Sequence, residues 1–458
     1  MTTLPAFVPE SAQGWGKVRT TQARIARPET IDALKACLRD AAAQGNGVTL
    51  RAGGNSYGDL ITNTAGVIID MSAFNRIIDA DLTAGAVRVE PGVALGAVAD
   101  RVLAQGWVPR GVPGSPFVTV GGAIANNIHG KDSFRLGNFG DGVVSMRIML
   151  ADGSIVEASR DENAALFDAT IGGLGLCGIV VEATLRLERI KSPFLDVELA
   201  RFDSVDAMIA MFERDAREWD MLVAWMDAFD AEGRGIMEKG RWADAPEDCV
   251  AQTALPARDT GAALRRRLGH VCRPFTNRLS MRLLNTLFFR AFPFVRKRSV
   301  RHFAAFNFIV TSRIPEPPDL YPGGMVEVQI LFPVTAAAAS IRDVLRLCRR
   351  HRRESWWCGI KLHTGSATPI SFTGDGYSFS VNLPGRDIET AAFKAFIDAL
   401  IDRLAEIGAR VYIGKDMVLH ADHIARLFPD APAFMARKRT FDPAGVFDSD
   451  LARRLFLK

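Results

Sequence analysis

The chain has 458 residues, 48% of them hydrophobic and 24% charged, with 56 Lys+Arg against 52 Asp+Glu for a formal net charge of +4. This composition excludes general disorder and collagen-like or long coiled-coil organisation, and the length suits two or three domains of roughly 150 residues each. The charge is uneven: Leu264 to His302 carries eleven Arg/Lys and no Asp or Glu, and subtracting them from +4 leaves a body of −7.

Met1 to Gly14 lacks a basic stretch followed by an apolar one, so no export signal is expected. Apolar residues at Ile31, Leu34, Cys37, Leu38 and Ala41 predict a helix over Thr30 to Ala43, stopped by Gly45. A buried strand follows at Val48 to Arg51, then a Gly-rich turn, Ala52 to Asp59, and strands Val67 to Asp70 and Val87 to Glu90. Leu95 to Gln105 is a second helix closed by Gly106. The longest uncharged stretch, Gly111 to Ile128, is broken by Gly, Pro and Asn and cannot satisfy its backbone as a membrane span. Asp152-Gly153 between Met146 to Leu150 and Ile155 to Ala158 signals a two-residue hairpin. Asp161 to Asp168 is helical, and Ile179 to Leu187 is a strand.

Beyond Ser192 the pattern changes to widely spaced strands (Val326 to Phe332, Ser378 to Leu383) and long amphipathic helices (Ala336 to Arg350, Ile388 to Ile407). Arg410 to Ile413 is a last strand, followed at once by Gly414-Lys415-Asp416. Cys37, Cys177, Cys249, Cys272, Cys348 and Cys358 show no zinc spacing; no metal is expected, and the thiols read as reduced and buried in a cytoplasmic protein.

Three Gly-rich stretches fall in the first 190 residues: Arg51 to Asp59, Pro113 to Lys131 and Gly172 to Gly178. Glycines clustered after strands let backbone amides converge on an anion without Cβ interference, a nucleotide signal. Gly173, Gly175 and Gly178 spell GxGxxG, but a helix precedes them and a strand follows, the reverse of a dinucleotide fingerprint, and no P-loop is present.

In this order the three stretches resemble the vanillyl-alcohol-oxidase type of FAD-binding domain, and most closely its branch acting on polyprenyl-phosphoryl ribose, through Thr119-Val-Gly-Gly-Ala-Ile-Ala, Ile128-His-Gly-Lys131, Gly414-Lys-Asp416 and the ending Arg437 to Leu455. The likeness is strong over 1–190 and 405–458 and patchy between. It implies an α+β, two-domain fold in which 1–190 and 408–458 bind FAD and 191–407 form a substrate-binding cap. Arg51, Ala52, Gly53, Gly54, Asn55, Ser56, Tyr57, Gly58, Gly114, Ser115, Thr119, Gly121, Gly122, Ala125, His129, Gly178, Ile179, Val180, Tyr412 and Lys415 would hold the cofactor. Asn55 stands where covalent members often carry a His, which implies non-covalent FAD. Lys415 is similar to the family's flavin-proximal lysine, a cation where hydride acceptance develops negative charge. His129 either accepts the substrate hydroxyl proton or only hydrogen-bonds its surroundings. Lys131, Trp225, Gln329, Lys361 and Ser380 match substrate-pocket positions, with Ser380 where related sugar oxidases have a cysteine.

The implied reaction is oxidation of a secondary sugar hydroxyl, at C2 of a polyprenyl-phosphoryl β-D-ribofuranose, with quinone or O2 as final acceptor and an NAD(P)H-dependent keto-sugar reductase as partner. An aldonolactone or polyol oxidase, and a non-catalytic flavin-binding protein at the membrane, remain as alternatives. The basic segment 264–302 alternates bulky apolar residues with Arg, which suits either a peripheral membrane surface or a packed helix with a solvated basic face. Without a stacking platform or a known module, nucleic acid is not expected there.

Overall fold

The computed structural model describes residues 6–244, 262–295, 297–308, 316–365 and 368–456. Cys249 and Arg296 lie outside the described residues. The fold is α+β with two domains, built among the described residues on three sheets.

The first sheet holds β1 (Val8–Gln13), β2 (Thr20–Ala26), β3 (Val48–Arg51) and β4 (Val67–Asp70) in the order β1-β2-β4-β3. Helix α1 (Ile31–Ala43) runs between β2 and β3 and lays Leu34, Cys37, Leu38 and Ala41 on Val67 and Ile69. It starts where Thr30 Oγ1 accepts from the Ala33 amide at 3.2 Å and stops at Gly45, whose φ of +68° a side chain would resist. β4 pairs with β2 and β3 in parallel, a local winding that the hairpin-rich pattern did not announce.

The second sheet runs β5 (Ile77–Asp81), β6 (Ala86–Val89), β10 (Ile179–Arg189), β8 (Val143–Met149) and β9 (Ile155–Ser159), with β7 (Trp107–Pro109) also on β10. The hairpin between β8 and β9 is longer than the two-residue turn expected. Leu150 donates to the Ser154 carbonyl at 2.9 Å, enclosing Ala151 to Gly153, and Gly153 takes φ +84°. Helix α2 (Leu95–Leu103) ends two residues before Gln105, and helix α3 (Val120–Asn126) begins within the second Gly-rich stretch. As expected, a helix (Ala164–Thr170) precedes the GxGxxG stretch and β10 follows it.

The third sheet is eight-stranded: β14 (Arg298–His302), β11 (Phe194–Phe202), β13 (Gly235–Trp242), β12 (Met221–Met226), β16 (Cys358–His363), β17 (Gly376–Pro384), β15 (Met325–Pro333) and β18 (Arg410–Val411) in that order. Helices Ala337–His351 and Ala391–Glu406 cover one face, where Ile341, Val344 and Phe396 pack with Val326, Val328, Ile330, Phe379 and Val381. The predicted strand Arg410 to Ile413 shortens to Val411, because Ile413 to Lys415 coils into a 3-10 turn. The basic segment forms two helices, Ala262–Cys272 and Arg278–Ala291, broken at Pro274. Cys37, Cys177, Cys348 and Cys358 are buried, but Cys272 is exposed on this segment, against the expectation that all thiols are internal.

The C-terminus returns to the first sheet. The Val48 amide donates to the Val446 carbonyl at 2.7 Å, and Arg454 forks onto Asp59 (2.8 and 2.7 Å) and reaches Asp416 at 2.8 Å. Asp416 is almost wholly buried, so truncating Arg454 strands a buried carboxylate. We expect Arg454→Met to lose about 3 kcal/mol in a denaturant-unfolding measurement; a loss within 0.5 kcal/mol, the scale of an ordinary surface substitution, would contradict the anchoring role.

Candidate active site

β15 and β17 are buried along both faces, a setting that normally demands apolar residues throughout. Here alternate positions are polar. Glu327 and Gln329 on β15 share one face with Ser378, Ser380 and Asn382 on β17, the register pairing Gln329 with Ser380 and Glu327 with Asn382. Lys361 on β16 and Trp225 on β12 continue the same row through the pairs Lys361–Ser378 and Trp225–Gly359. This polar face fronts a cavity of about 1120 Å³ whose other wall is made by the Gly-rich segments.

Every residue expected to hold cofactor or substrate lines that cavity except Gly58. Gly58 serves differently: a Cβ there would sit 2.5 Å from the Asp416 carbonyl oxygen, so glycine lets the first turn close on the Lys415 loop. On the other side, a Cβ at Gly414 would meet Asn126 Oδ1 at 2.1 Å, so the same loop also presses against α3. Asn55 joins the first two Gly-rich segments, its Nδ2 donating to the carbonyls of Gly53 and Phe117, each at 2.9 Å.

Lys415 Nζ donates to Glu327 Oε1 at 2.8 Å, and Ser380 Oγ donates to the same oxygen at 2.8 Å. Lys415 also lies 4.9 Å from the Tyr57 ring centre. Burial and the Glu327 carboxylate hold the Tyr57 hydroxyl well above its ordinary range, so it stays protonated. His129 bridges two partners, with Nε2 3.3 Å from Gln329 Oε1 and Nδ1 3.3 Å from Lys361 Nζ. Burial, then Lys361, keeps the imidazole well below its usual pKa and therefore neutral. With Lys361 donating to Nδ1, the ring proton belongs on Nε2, facing the Gln329 oxygen. Burial, then Lys415 and Lys131, draws the Lys361 ammonium down to about 7. Lys131 is held apart by the Phe306 carbonyl at 2.6 Å and Glu238 at 3.3 Å.

Glu327, Glu238 and His363 belong to this site and were not anticipated. Glu327 stands two residues from Gln329, and His363 two from Lys361, so strand periodicity was the available signal. The His363 ring is 4.8 Å from that of His129, and burial pulls its pKa to about 3.

The lining fits a long polar ligand. Arg51 Nε, Asn126 Oδ1 and Trp225 Nε1 are buried on it without a hydrogen-bond partner, where buried polar atoms are ordinarily paired. At Gly53 a Cβ would crowd the Phe117 carbonyl at 2.7 Å, so the approach of the two loops requires glycine. These features define a cofactor-binding oxidoreductase, and residues 22–159 match the FAD binding domain family. The chain belongs to the FAD-binding oxidoreductases that include decaprenylphosphoryl-β-D-ribose oxidase of Mycolicibacterium smegmatis, to which it is 30% identical over 463 residues, 97% of each chain. It is also similar to L-gulonolactone oxidase of Mus musculus, at 29% identity over 38% of this chain and 39% of that one, and to an uncharacterised Streptomyces coelicolor protein, at 30% over 80% of this chain and all of the other. The protein is an FAD-dependent oxidoreductase, with FAD as its cofactor.

Because Asn55 ties the two loops, Asn55→Ala should weaken FAD retention about tenfold, the loss of one or two net hydrogen bonds. Fluorescence titration of the apoprotein with FAD measures this, and unchanged affinity would exclude the tie as a determinant.

Proposed function

We propose that this oxidoreductase converts a secondary hydroxyl of a lipid-linked pentose to a ketone, at C2 of a polyprenyl-phosphoryl β-D-ribofuranose. The observation that carries the reading is that one cavity joins a polar cluster to a group of apolar side chains. Lys361, His129, Gln329, Lys415 and Glu327 form the polar cluster, and Met281, Phe288, Phe292 and Val295 form the apolar group. Phe288 and Val295 remain 48% and 41% exposed, so they stand at the opening. A charged, hydroxyl-rich headgroup with an apolar tail has that profile; a free lactone would leave the apolar end unfilled. The whole-length likeness to an enzyme named for decaprenylphosphoryl ribose supports the same choice, since the lactone-oxidase likeness covers little more than a third of the chain.

In this reading residues 1–190 and 408–458 hold the cofactor and 191–407 the substrate. FAD, when bound, supplies the hydride acceptor. The turn from Arg51 to Gly58, the Gly114 to Ala125 segment, Gly178 to Val180, Tyr412 and Lys415 would hold it, without a covalent link at Asn55. Gln329 and Glu327 orient sugar hydroxyls by hydrogen bonds. The hydroxyl proton passes to the His129–Lys361 pair, whose lysine titrates near the working pH. Lys131, fixed by Glu238, would face the headgroup phosphate. The keto product sits one two-electron step above the starting sugar, and a hydride-donating reductase returns it to an alcohol of the other configuration.

Four measurements bear on this. Anaerobic addition of a prenyl-phosphoryl ribose should bleach the flavin, and bleaching by free aldonolactones alone would favour the lactone reading. The bleaching rate should rise with pH through about 7, because the accepting amine must be deprotonated, and Lys361→Met should remove that inflection. Lys415 and Glu327 should set the potential in opposite senses. Lys415→Ala should lower the two-electron midpoint potential, and Glu327→Gln, which uncovers the lysine charge, should raise it, each by on the order of 30 mV. Shifts of the same sign would refute the assignment. Acid precipitation should leave the flavin in the supernatant.

A further inference from the structure

The helices Ala262–Cys272 and Arg278–Ala291 present their apolar side to solvent. On Arg278–Ala291 the buried side chains are Asn285 and Phe289, whereas Leu279, Leu283 and Leu287, one turn apart, are 76%, 58% and 54% exposed. A helix that merely packs on a protein body does the reverse. Eleven of the seventeen large apolar side chains exposed among the described residues fall between Leu264 and Val295, with Phe294 at 92% the most exposed of all. Contiguous apolar surface on this scale marks an interaction site.

The helix is nonetheless held firmly from behind. Asn277 caps it, accepting from the amides of Leu279 and Ser280 at 2.9 and 3.1 Å, and Arg278 pairs with the buried Glu354 at 2.7 Å. Arg234 donates to Thr286 Oγ1 at 3.1 Å. The outward Leu row is therefore fixed by the inward polar contacts.

We propose that these two helices dock the protein on an anionic phospholipid surface, lying in the headgroup layer with the Leu row among acyl chains. Charge selects this occupant. The segment Leu264 to His302 carries eleven basic and no acidic residues on a body that is otherwise negative, so a membrane bearing negative lipids attracts this face and repels the rest. Arg282 and Arg290 flank the Leu row, are exposed, and make no ion pair among the described residues. No helix of the described residues is long and apolar enough to cross a membrane, which leaves surface docking for this apolar face. The cavity opens on the same segment through Phe288 and Val295, so a docked molecule meets lipid at its substrate entrance. That last step rests on the lipid-linked reading above; the docking itself does not.

The test uses the FAD-loaded protein and vesicles of phosphatidylcholine with or without phosphatidylglycerol, and no sugar substrate. Sedimentation should show binding to the phosphatidylglycerol vesicles that falls with added salt. Leu279→Glu with Leu283→Glu, and separately Arg282→Glu with Arg290→Glu, should each weaken it at least about tenfold. None of these four residues lines the cavity, so turnover of a short-chain, water-soluble phosphoryl pentose should be unchanged in both variants. Failure to bind anionic vesicles, or binding indifferent to the substitutions, would overturn the proposal. So would a Leu279-dependent dimer in sedimentation velocity without vesicle binding, which would assign the face to a second copy of the chain. Vesicle binding without turnover of any sugar would retain the dock and discard the substrate reading.

Discussion

A strand covered on both faces has no water to satisfy its side chains, and an unpaired polar group there costs about 1–3 kcal/mol. β15 and β17 are in this position, yet they carry Glu327, Gln329, Ser378, Ser380 and Asn382 on one face. Their apolar face is fully used against helices Ala337–His351 and Ala391–Glu406. The polar face can be stable only if other segments bring partners to it. Lys415 reaches Glu327 and His129 reaches Gln329, each from a loop outside the strands it serves. Gly58 and Gly414 allow the Lys415 loop to fit between α3 and the first Gly-rich turn, and Arg454 fixes its base through Asp416. The two halves of the fold thus meet at the polar side of the large sheet, and the space between them is the site.

Features set by local chemistry were readable in the chain. Thr30 and Gly45 bound α1 to within a residue, and the three Gly-rich stretches gave a nucleotide signal, because close backbone approach must be written in glycine, while their resemblance to a known family supplied FAD. Features set by distant pairing were not. Nothing near Val67 states that it will lie in parallel between β2 and β3, and nothing near Arg454 states that its carboxylates are Asp59 and Asp416. Glu327 was overlooked because a charged residue in an apolar run reads as a solvent-facing position, whereas the strand is buried throughout and the carboxylate is answered by Lys415, 88 residues away. The basic segment was legible in composition but not in orientation. Its alternation of Leu and Arg fits either side facing inward until Asn285 is found inside and Leu279 outside.

The cavity gathers three lysines, and their surroundings divide the work among them. Ammonium groups brought into a dry pocket repel one another and each loses hydration, so they cannot all stay charged without compensation. Lys415 has Glu327 at 2.8 Å, and Lys131 has Glu238 at 3.3 Å with the Phe306 ring 3.9 Å below it. Lys361 has only the neutral His129 at 3.3 Å as its hydrogen-bond partner among the described contacts, and feels both other lysines. Lys361, which has no carboxylate within ion-pair distance among the described residues, is the one drawn down to about 7 by burial and then by the other two lysines. The difference between the three lysines therefore follows from where two glutamates were placed. Replacing either glutamate would act on Lys361 as well as on its own partner, because a bare ammonium next door would push the third lysine further toward the neutral amine.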